Sequence, residues 1–592
     1  MGKTAQYLDR EYVLKGGIVR HLSTFRYTNA GFWTVSGMHG DDEDSLTKCS
    51  GSELFSSTSL GARVVGLFQV TLNSNVFYFA MANGNVVSVS GSTVTTLLSG
   101  EAAGYYQAVT LNSIFYFASG VNANKKILSN LSVQNVGIAA PTVAPVAASG
   151  TPGPLTGDYS WKYTFKNSVT GVESNPSPVG NTITLGAVYA ALSSLDNSSD
   201  TQVNRKVIYR TTNGGDGLWF RVAEIDAALT TYIDGAADGD LAELVLEDSG
   251  VPPQSSLIEL YNGMIVYAGQ ASPNRNRVSV SGVLRPESVD PDNDQDLSPD
   301  EDDFITGMKV FGSTIAVYKR RALFIGNGTS PDAINFTRTR VKEGSLGGRG
   351  IIEHNSSHFY LSERGPFAYS GLREDFIGRS IQHYYKTLDV SMLANASGVK
   401  YTPLNQLIWN VGVVGDPDAT VWLCFNTETK EWTTRTFGSS TLSTYFDALG
   451  RTRLWLGGSN GYLYTGDVGS GDNGANIPVE IVTRGLCLSY QDKQPDTSQT
   501  YCFRHIDVMY DANGGTAPVT VDYAIDKPDA NFVGVKNKAT GLSSFVPATG
   551  SIARFDLAGY GRLIFLRFTT SSTEALKIRG VKLYGTALGR KG

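Results

Sequence analysis

Short apolar runs joined by two-residue turns dominate the sequence, and residues 257–326 hold the two clearest copies. In the first copy, Asn262-Gly263 separates an alternating run from a more apolar one, and Gly312-Ser313 does the same in the second. Asn-Gly between alternating apolar residues is a strong hairpin signal, because a tight primed turn needs positive φ. Each copy is therefore predicted to be a β-hairpin.

The hairpin unit recurs along most of the chain. Related patterns occur at 68–90, 107–120, 257–267, 308–318, 350–371, 401–436 and 446–467. Repeated antiparallel hairpins with apolar inner runs are typical of propeller blades, and their irregular spacing excludes a WD40 or kelch array. The sequence predicts a mainly β protein built on a degenerate six- or seven-bladed β-propeller. A large β-sandwich with repetitive hairpins is the alternative.

Two segments depart from the hairpin pattern. Residues 139–154 are rich in Pro, Ala and Gly, which predicts a linker. Beyond it, four aromatic residues alternate between 159 and 165, and about 100 residues of short strands favour a small β-sandwich that looks like a fibronectin type III module. From about residue 476, five alternating strands predict a second sandwich or a jelly-roll-like end domain.

Five segments follow from these changes of pattern. They are an N-terminal arm (1–60), a first propeller part (61–138), the inserted fibronectin-III-like sandwich (139–250), a second propeller part (251–470) and a C-terminal sandwich (471–592). Helix is expected to be scarce, and residues 389–396 are the best helical fragment.

Composition narrows the function classes. The chain has 592 residues, a net charge of −6 and no basic stripe, so stable nucleic-acid binding is not expected. Four cysteines lack CxxC spacing, which argues against a disulfide scaffold or a zinc site. The sequence contains no apolar run of 18 residues and no apolar core near residue 1, so we expect no membrane span, no secretory signal and synthesis in a reducing cytoplasm.

One acidic stretch, 290–303, has partial metal-loop spacing. Positions 1, 3, 5 and 12 of an EF-hand-like loop would be Asp290, Asp292, Asp294 and Glu301. Gln295 replaces the glycine that the sharp bend needs, and Pro299 stiffens the second half. A solvated loop is favoured, and a surface Ca²⁺ site is the alternative.

The remaining polar clusters give no catalytic set. A basic group at Lys319, Arg320 and Arg321, with Arg338, Arg340 and Lys342, is either a solvated blade edge or a surface for an acidic partner chain. His354 and His358, read as one strand, would lie on one face about 13 Å apart, too far to share a metal. We therefore expect no enzyme activity, no cofactor and no catalytic residue.

The order of motifs resembles the tail nozzle, or tail hub, proteins of short-tailed bacteriophages (podoviruses). The resemblance rests on the KGG opening, on TFKNSVTGVESNPSP…VIYRTTNGG…YIDGAADGDL in the insert, and on LYNGMIVYAG…NRVSVSG…PESVDP…DDFITGMKVFGSTIAVYKRRALFIGNG. It continues in RHIDVMYDA…VTVDYAI…RLIFLRFTTSS…LKIRGVKLYG near the end, and it covers nearly the whole chain.

The resemblance implies a structural protein of the virion tail. Such proteins form a ring, commonly of six subunits, below the portal and its adaptor, close and then conduct the exit channel for double-stranded DNA, and support tail fibres or spikes. The N-terminal arm and the insert would contact the adaptor and neighbouring subunits, and the C-terminal sandwich would be the nozzle tip or platform. A carbohydrate-binding or carbohydrate-cleaving propeller and a trimeric tail-fibre attachment protein are the alternatives.

Overall fold

The computed structural model confirms a mainly β protein and the expected scarcity of helix. It describes residues 7–14, 17–18, 32–40, 45–215, 217–241, 243–298, 302–416, 419–491, 494–495, 498–511, 515–528, 531–547 and 551–590. Its α-helices are Gln382–Tyr385 and Val390–Asn395, and Asp389 caps the second by accepting the Ser391 N–H at 2.8 Å. None of the described helices is long and apolar enough to cross a membrane.

Seven sets of four neighbouring antiparallel strands follow one another, and we name them sheets 1 to 7. Sheets 1 and 2 comprise Val64–Leu72, Asn75–Ala82, Asn85–Ser90 and Thr93–Leu98, then Gln107–Leu111, Ile114–Ala118, Lys125–Ile127 and Val133–Asn135. Sheets 3 and 4 comprise Leu257–Tyr261, Met264–Ala268, Arg277–Gly282 and Arg285–Val289, then Ile305–Phe311, Thr314–Lys319, Leu323–Asn327 and Asn335–Arg338. Sheets 5 and 6 comprise Ile352–His354, Ser357–Leu361, Pro366–Tyr369 and Glu374–Phe376, then Gly398–Tyr401, Gln406–Val411, Val421–Asn426 and Trp432–Thr436.

Sheet 7 is completed by a strand from near the other end of the sequence. Its first three strands are Thr441–Phe446, Thr452–Gly457 and Leu463–Gly466, and the fourth is Ser52–Ser56, which pairs antiparallel with Leu463–Gly466. The sheet therefore closes only when two segments roughly 400 residues apart in sequence meet.

Two-residue turns join the first two strands of sheets 1 to 5, as expected for β-hairpins. Asn262 and Gly263 have φ of 47° and 76°, and Asn355 and Ser356 have φ of 48° and 53°. Positive φ at both central residues defines the primed turn whose twist matches that of the paired strands. Local side chains thus determine where each hairpin turns.

The insert is a two-layer β structure between sheets 2 and 3. One layer contains Val146–Tyr159, Ile183–Ser193 and Tyr232–Asp234, and the other contains Trp161–Lys166, Arg205–Arg210 and Phe220–Asp226. Trp161, Tyr163 and Leu192 pack in the shared core. The prediction of a linker at 139–154 is wrong from Val146 onward, because Val146–Tyr159 is an edge strand. Register shifts between Ser149 and Thr156 accommodate the prolines of this strand.

The two terminal regions of the sequence share two large sheets. A seven-stranded sheet contains Lys577–Arg590, Gln499–Tyr510, Ile552–Gly561 and Lys536–Asn537 together with the early strands Tyr7–Val13, Met38–Gly40 and Leu46–Lys48. A ten-stranded sheet joins sheet 6 to Phe32–Ser36, Ile477–Thr483, Ile564–Ser572, Val519–Ile525, Val533–Gly534 and Ser544–Phe545. The described part of the predicted N-terminal arm therefore pairs within its own chain, and its contacts with other proteins stay a prediction.

The chain divides into two compact units, each with its own cores. Unit 1 contains Met1–Gln69, Tyr78–Thr95 and Glu343–Gly592, and unit 2 contains Val70–Phe77 and Thr96–Lys342. In unit 1, separate apolar clusters join sheets 5 and 6 to the terminal sheets, sheet 6 to sheet 7, and sheet 7 to sheet 1. In unit 2, sheet 2 packs on sheet 3 and sheet 3 on sheet 4. Consecutive sheets therefore pack face to face within each unit.

Candidate functional site

The predicted basic group separates into a buried lysine and exposed arginines. The Lys319 side chain is fully buried, and its Nζ donates to the backbone carbonyls of Ser298 at 3.1 Å and Asp303 at 3.3 Å. The prediction that Lys319 belongs to a solvated edge is therefore wrong. Burial is tolerated because those carbonyls, at the two sides of the 299–301 segment, accept hydrogen bonds from the ammonium.

The exposed arginines lie at one end of sheet 4. Asp303 accepts the backbone N–H groups of Arg320 at 3.1 Å and Arg321 at 2.9 Å, which fixes the turn between two strands. The Thr339 N–H donates to the Leu323 carbonyl, so strand pairing continues past residue 338 toward the same turn. Arg338, Arg340 and Lys342 are also exposed. The six basic residues are thus one buried lysine and five surface cations.

An aromatic ring, absent from the sequence-based prediction, organises part of this surface. The guanidinium carbon of Arg275 lies 3.8 Å from the ring centre of Phe304, and that of Arg320 lies 5.2 Å from it. Both arginines are exposed and the ring is half-buried. We call Arg275, Phe304 and Arg320 the arginine–phenylalanine site. Its sequence signal was weak, since its members come from three separate segments.

The acidic loop uses its carboxylates within the protein. Asp290 accepts the Asp292 N–H at 3.0 Å, and Asp296 binds the Arg277 guanidinium through two contacts of 2.9 Å. Asp294 lies 3.7 Å from Arg277, and partial burial raises the pKa of its carboxyl. Glu301, the fourth predicted ligand, lies outside the described residues. The Ca²⁺ alternative stays a prediction, and no group of three or more metal-ligating side chains occurs among the residues described.

The two histidines lie on separate strands, contrary to the single-strand interpretation. Asn355 and Ser356 form a turn, so His354 pairs with Ser357 and His358 pairs with Glu353. Neighbouring rows of an antiparallel pair point to opposite faces. His358 is fully buried, and burial lowers the pKa of His354. The imidazoles therefore face opposite sides of sheet 5.

Between sheets 2 and 3, unit 2 contains a fully buried ion pair with a nearly complete set of hydrogen bonds. The Lys126 Nζ lies 2.6 Å and 2.7 Å from the two carboxylate oxygens of Glu287. The Gly137 N–H also donates to Glu287 at 2.8 Å, and the Tyr116 hydroxyl lies 3.4 Å away. Burial followed by the Glu287 charge raises the Tyr116 pKa. This cluster holds sheets 2 and 3 together.

A cleft of about 520 Å³ lies beside that cluster, also within unit 2. Its lining combines amides and hydroxyls with an apolar rim, and it includes Asn112, Thr170, Ser288, Val169 and Leu284. The Thr170 hydroxyl is buried and has no hydrogen-bond partner within the described part of the chain. Glu173, Arg285 and Glu287 also line the cleft, so it offers charged as well as neutral hydrogen-bonding groups, and chemically it suits a small ligand with several hydroxyl groups.

Comparison with known proteins assigns no family. Neither a protein-family model nor a curated protein matches the chain. The likeness to solved structures is weak, as three of them show. The extracellular domain of a hybrid two-component system from B. thetaiotaomicron is 9% identical with a TM-score of 0.25, over 70% of this chain and 40% of that one. BBS1N in complex with ARL6DN is 8% identical with a TM-score of 0.26, over 70% of this chain and 96% of that one. The AfRom2 CNH domain is 9% identical with a TM-score of 0.23, over 71% of this chain and 98% of that one. Such low TM-scores carry no functional argument.

Proposed function

We propose that the protein is a structural component of a bacteriophage tail: a homohexameric nozzle, or hub, that closes and then conducts the DNA exit channel. In this proposal sheets 1 to 7 are the blades of one propeller. The insert is a fibronectin-III-like module between the second and third blades, and the terminal sheets are the platform or tip. The observation that carries the proposal is this order of sheets along the chain, taken with the resemblance of the sequence to nozzle proteins.

Two further features support a ring-forming scaffold. Consecutive sheets share apolar cores in each unit, and strand Ser52–Ser56 completes sheet 7, as expected of a propeller closed by chain segments distant in sequence. A net charge of −6 suits a wall past which DNA slides without sticking. Rings of identical subunits need a heterologous interface that closes by rotation.

The first experiment is negative-stain electron microscopy of the full-length protein, classified without imposed symmetry, with sedimentation velocity on the same sample. The proposal predicts six-fold rings whose central hole admits duplex DNA. Elongated trimers would instead identify a fibre-attachment protein. A monomer at every concentration tested would contradict the nozzle.

A surface variant sharpens this test, because the insert is the predicted subunit contact. Ile233 is 67% exposed on the insert, whereas Val169 is 79% exposed on a turn of the same module. The I233D substitution should reduce the six-fold fraction if that strand faces a neighbour, and V169D serves as the matched control for surface charge. Equal ring fractions in both variants would remove this strand from the interface.

The carbohydrate-binding alternative has one observation in its favour, the polar cleft of unit 2. Its unpartnered Thr170 hydroxyl and its amide groups suit sugar hydroxyls, although Tyr116 is buried and presents no ring face for stacking. A glycan array probed with labelled full-length protein tests this function. Binding that is lost in N112A/T170A would favour it over the nozzle.

A further inference from the structure

The arginine–phenylalanine site holds two guanidinium groups that have no carboxylate partner among the residues described. Both groups lie within cation–π distance of Phe304. Stacking on a ring restricts a guanidinium while leaving its N–H donors at the outer edge, directed away from the ring. The site therefore presents donors that are partly fixed in position on an exposed surface.

Other stacked arginines of this chain show what such a group normally binds. Arg364 lies over Phe367 and Phe376 and pairs with Glu343 at 3.2 Å. Arg567 lies over Phe532 and pairs with Asp522 at 2.7 Å. The same combination of ring and carboxylate also occurs at Arg210, Arg435 and Arg554. In these five cases the protein supplies the anion itself.

We propose that the arginine–phenylalanine site is a docking surface for an acidic segment of a protein partner, which supplies the carboxylates that Arg275 and Arg320 lack. The planar N–H fork of arginine matches a carboxylate in two parallel hydrogen bonds. Arg340, exposed at the same end of sheet 4, adds positive potential around the site. This inference is independent of the nozzle proposal.

The surrounding charge favours a short acidic peptide over nucleic acid. Asp292 and Asp302 are exposed in the loop that leads to Phe304. Duplex DNA carries one charge per about 1.7 Å of helix axis, so phosphates beyond the site would meet these carboxylates. A peptide with a few acidic side chains avoids that repulsion. Carboxylates of a protein are therefore the better fit.

The test is a titration of the full-length protein into a fluorescein-labelled hexaglutamate peptide, followed by fluorescence anisotropy. Ionic strength is kept at about 10 mM, where the Debye length is about 30 Å. We expect the R275Q/R320Q variant to bind about three- to tenfold more weakly than the unchanged protein, since each exposed pair contributes modestly. Equal affinity of the two proteins would overturn the proposal.

Two control variants and a second probe make the outcome specific. Arg364 is a matched control because it is also stacked and exposed but already holds Glu343, so R364Q should leave peptide binding unchanged. Asp300 and Glu301 are acidic neighbours in sequence, and tighter peptide binding by D300N/E301Q that persists at about 0.15 M salt, where charge repulsion is screened, would mean that the chain covers its own site, which overturns partner docking. Stronger site-dependent binding of a labelled duplex DNA than of the peptide would also overturn it.

Discussion

Lys126–Glu287 and the arginine–phenylalanine site show two ways in which unit 2 places cations. The Lys126 ammonium is fully buried, and its carboxylate partner is also bound by a backbone N–H. Arg275 and Arg320 are exposed and lie against the Phe304 ring, and their guanidinium groups have no carboxylate partner within the described part of the protein. The first arrangement stabilises a contact between sheets 2 and 3. The second leaves guanidinium N–H donors available to bind another molecule. Burial and partner identity, and not charge alone, distinguish a structural cation from an available one.

The largest effect is expected from breaking the buried pair. In E287Q the Lys126 ammonium would remain buried without a counter-charge. We expect this to lower the free energy of unfolding by about 3–5 kcal/mol. Calorimetric unfolding should show a lower transition temperature for unit 2. The matched control is E259Q, because Glu259 pairs with Lys309 at 3.2 Å across sheets 3 and 4 at a partly exposed position. That change should cost at most about 1 kcal/mol, and similar losses in both variants would contradict the comparison.

A second buried pair, in the insert, should give a smaller loss. Asp234 binds the Arg210 guanidinium and the Trp161 indole N–H, each at 2.9 Å. In D234N the Arg210 guanidinium still has Asp238 as a partner, at 2.7 Å. We therefore expect the free energy of unfolding to fall by about 1.5–3 kcal/mol. Hydrogen exchange by mass spectrometry should show faster exchange in Trp161–Lys166 and Arg205–Arg210. The control is D248N, which removes an exposed partner of Arg285 and should leave the exchange rates of those peptides unchanged.

The partly buried carboxylate of Asp447 should stabilise the fold at neutral pH and lose this effect only at low pH. Hydrogen bonds from the Arg451 backbone and side chain lower the Asp447 pKa from 3.8 to about 2. Because the folded protein binds the proton less readily, this stabilisation is complete above about pH 4 and is lost as the pH falls toward 2. D447N should unfold at a lower temperature than the unchanged protein at pH 5, with the difference vanishing near pH 2. A difference that stays constant with pH would contradict the assignment.

The smallest effect on stability is expected at the arginine–phenylalanine site. R275Q/R320Q should change the free energy of unfolding by no more than about 0.5 kcal/mol, since it alters exposed side chains without buried partners. Denaturant unfolding checks this, and the same protein serves for the peptide titration. A large loss of stability would show that the arginines are structural and would remove the contrast with Lys126.

Local signals in the sequence were sufficient for the turns and for the class of fold. Asn-Gly at 262–263 and the alternating hairpins predicted the turn and its strands, because both depend on neighbours in sequence. Strand Ile552–Gly561 is not one of the five strands predicted beyond residue 476, although Phe555 and Leu557 alternate inward, because Gly559 and Gly561 interrupt the apolar pattern. The composition of residues 146–154 predicted a linker. This was wrong because composition does not reveal that a proline-containing segment pairs as an edge strand.

The candidate site was only partly predictable. Arg320 and Arg321 stood out as a charged turn, but Arg275 and Phe304 join Arg320 through tertiary packing of separate segments. The burial of Lys319 also depends on carbonyls of a distant loop. The single-strand interpretation of the histidines was wrong for a local reason, because the Asn355-Ser356 turn places His354 and His358 on two paired strands. Contacts between segments, and not residue types, account for most of what was missed.

The pairing of Ser52–Ser56 with Leu463–Gly466 has a consequence for synthesis on the ribosome. At about 5–20 residues per second, the roughly 400 intervening residues take about 20–80 s to appear. For that time an early strand has no partner for its backbone groups, and chaperones or other nascent chains of a polysome can reach it. Strand Ser52–Ser56 thus waits for a partner strand that is synthesised roughly 400 residues later.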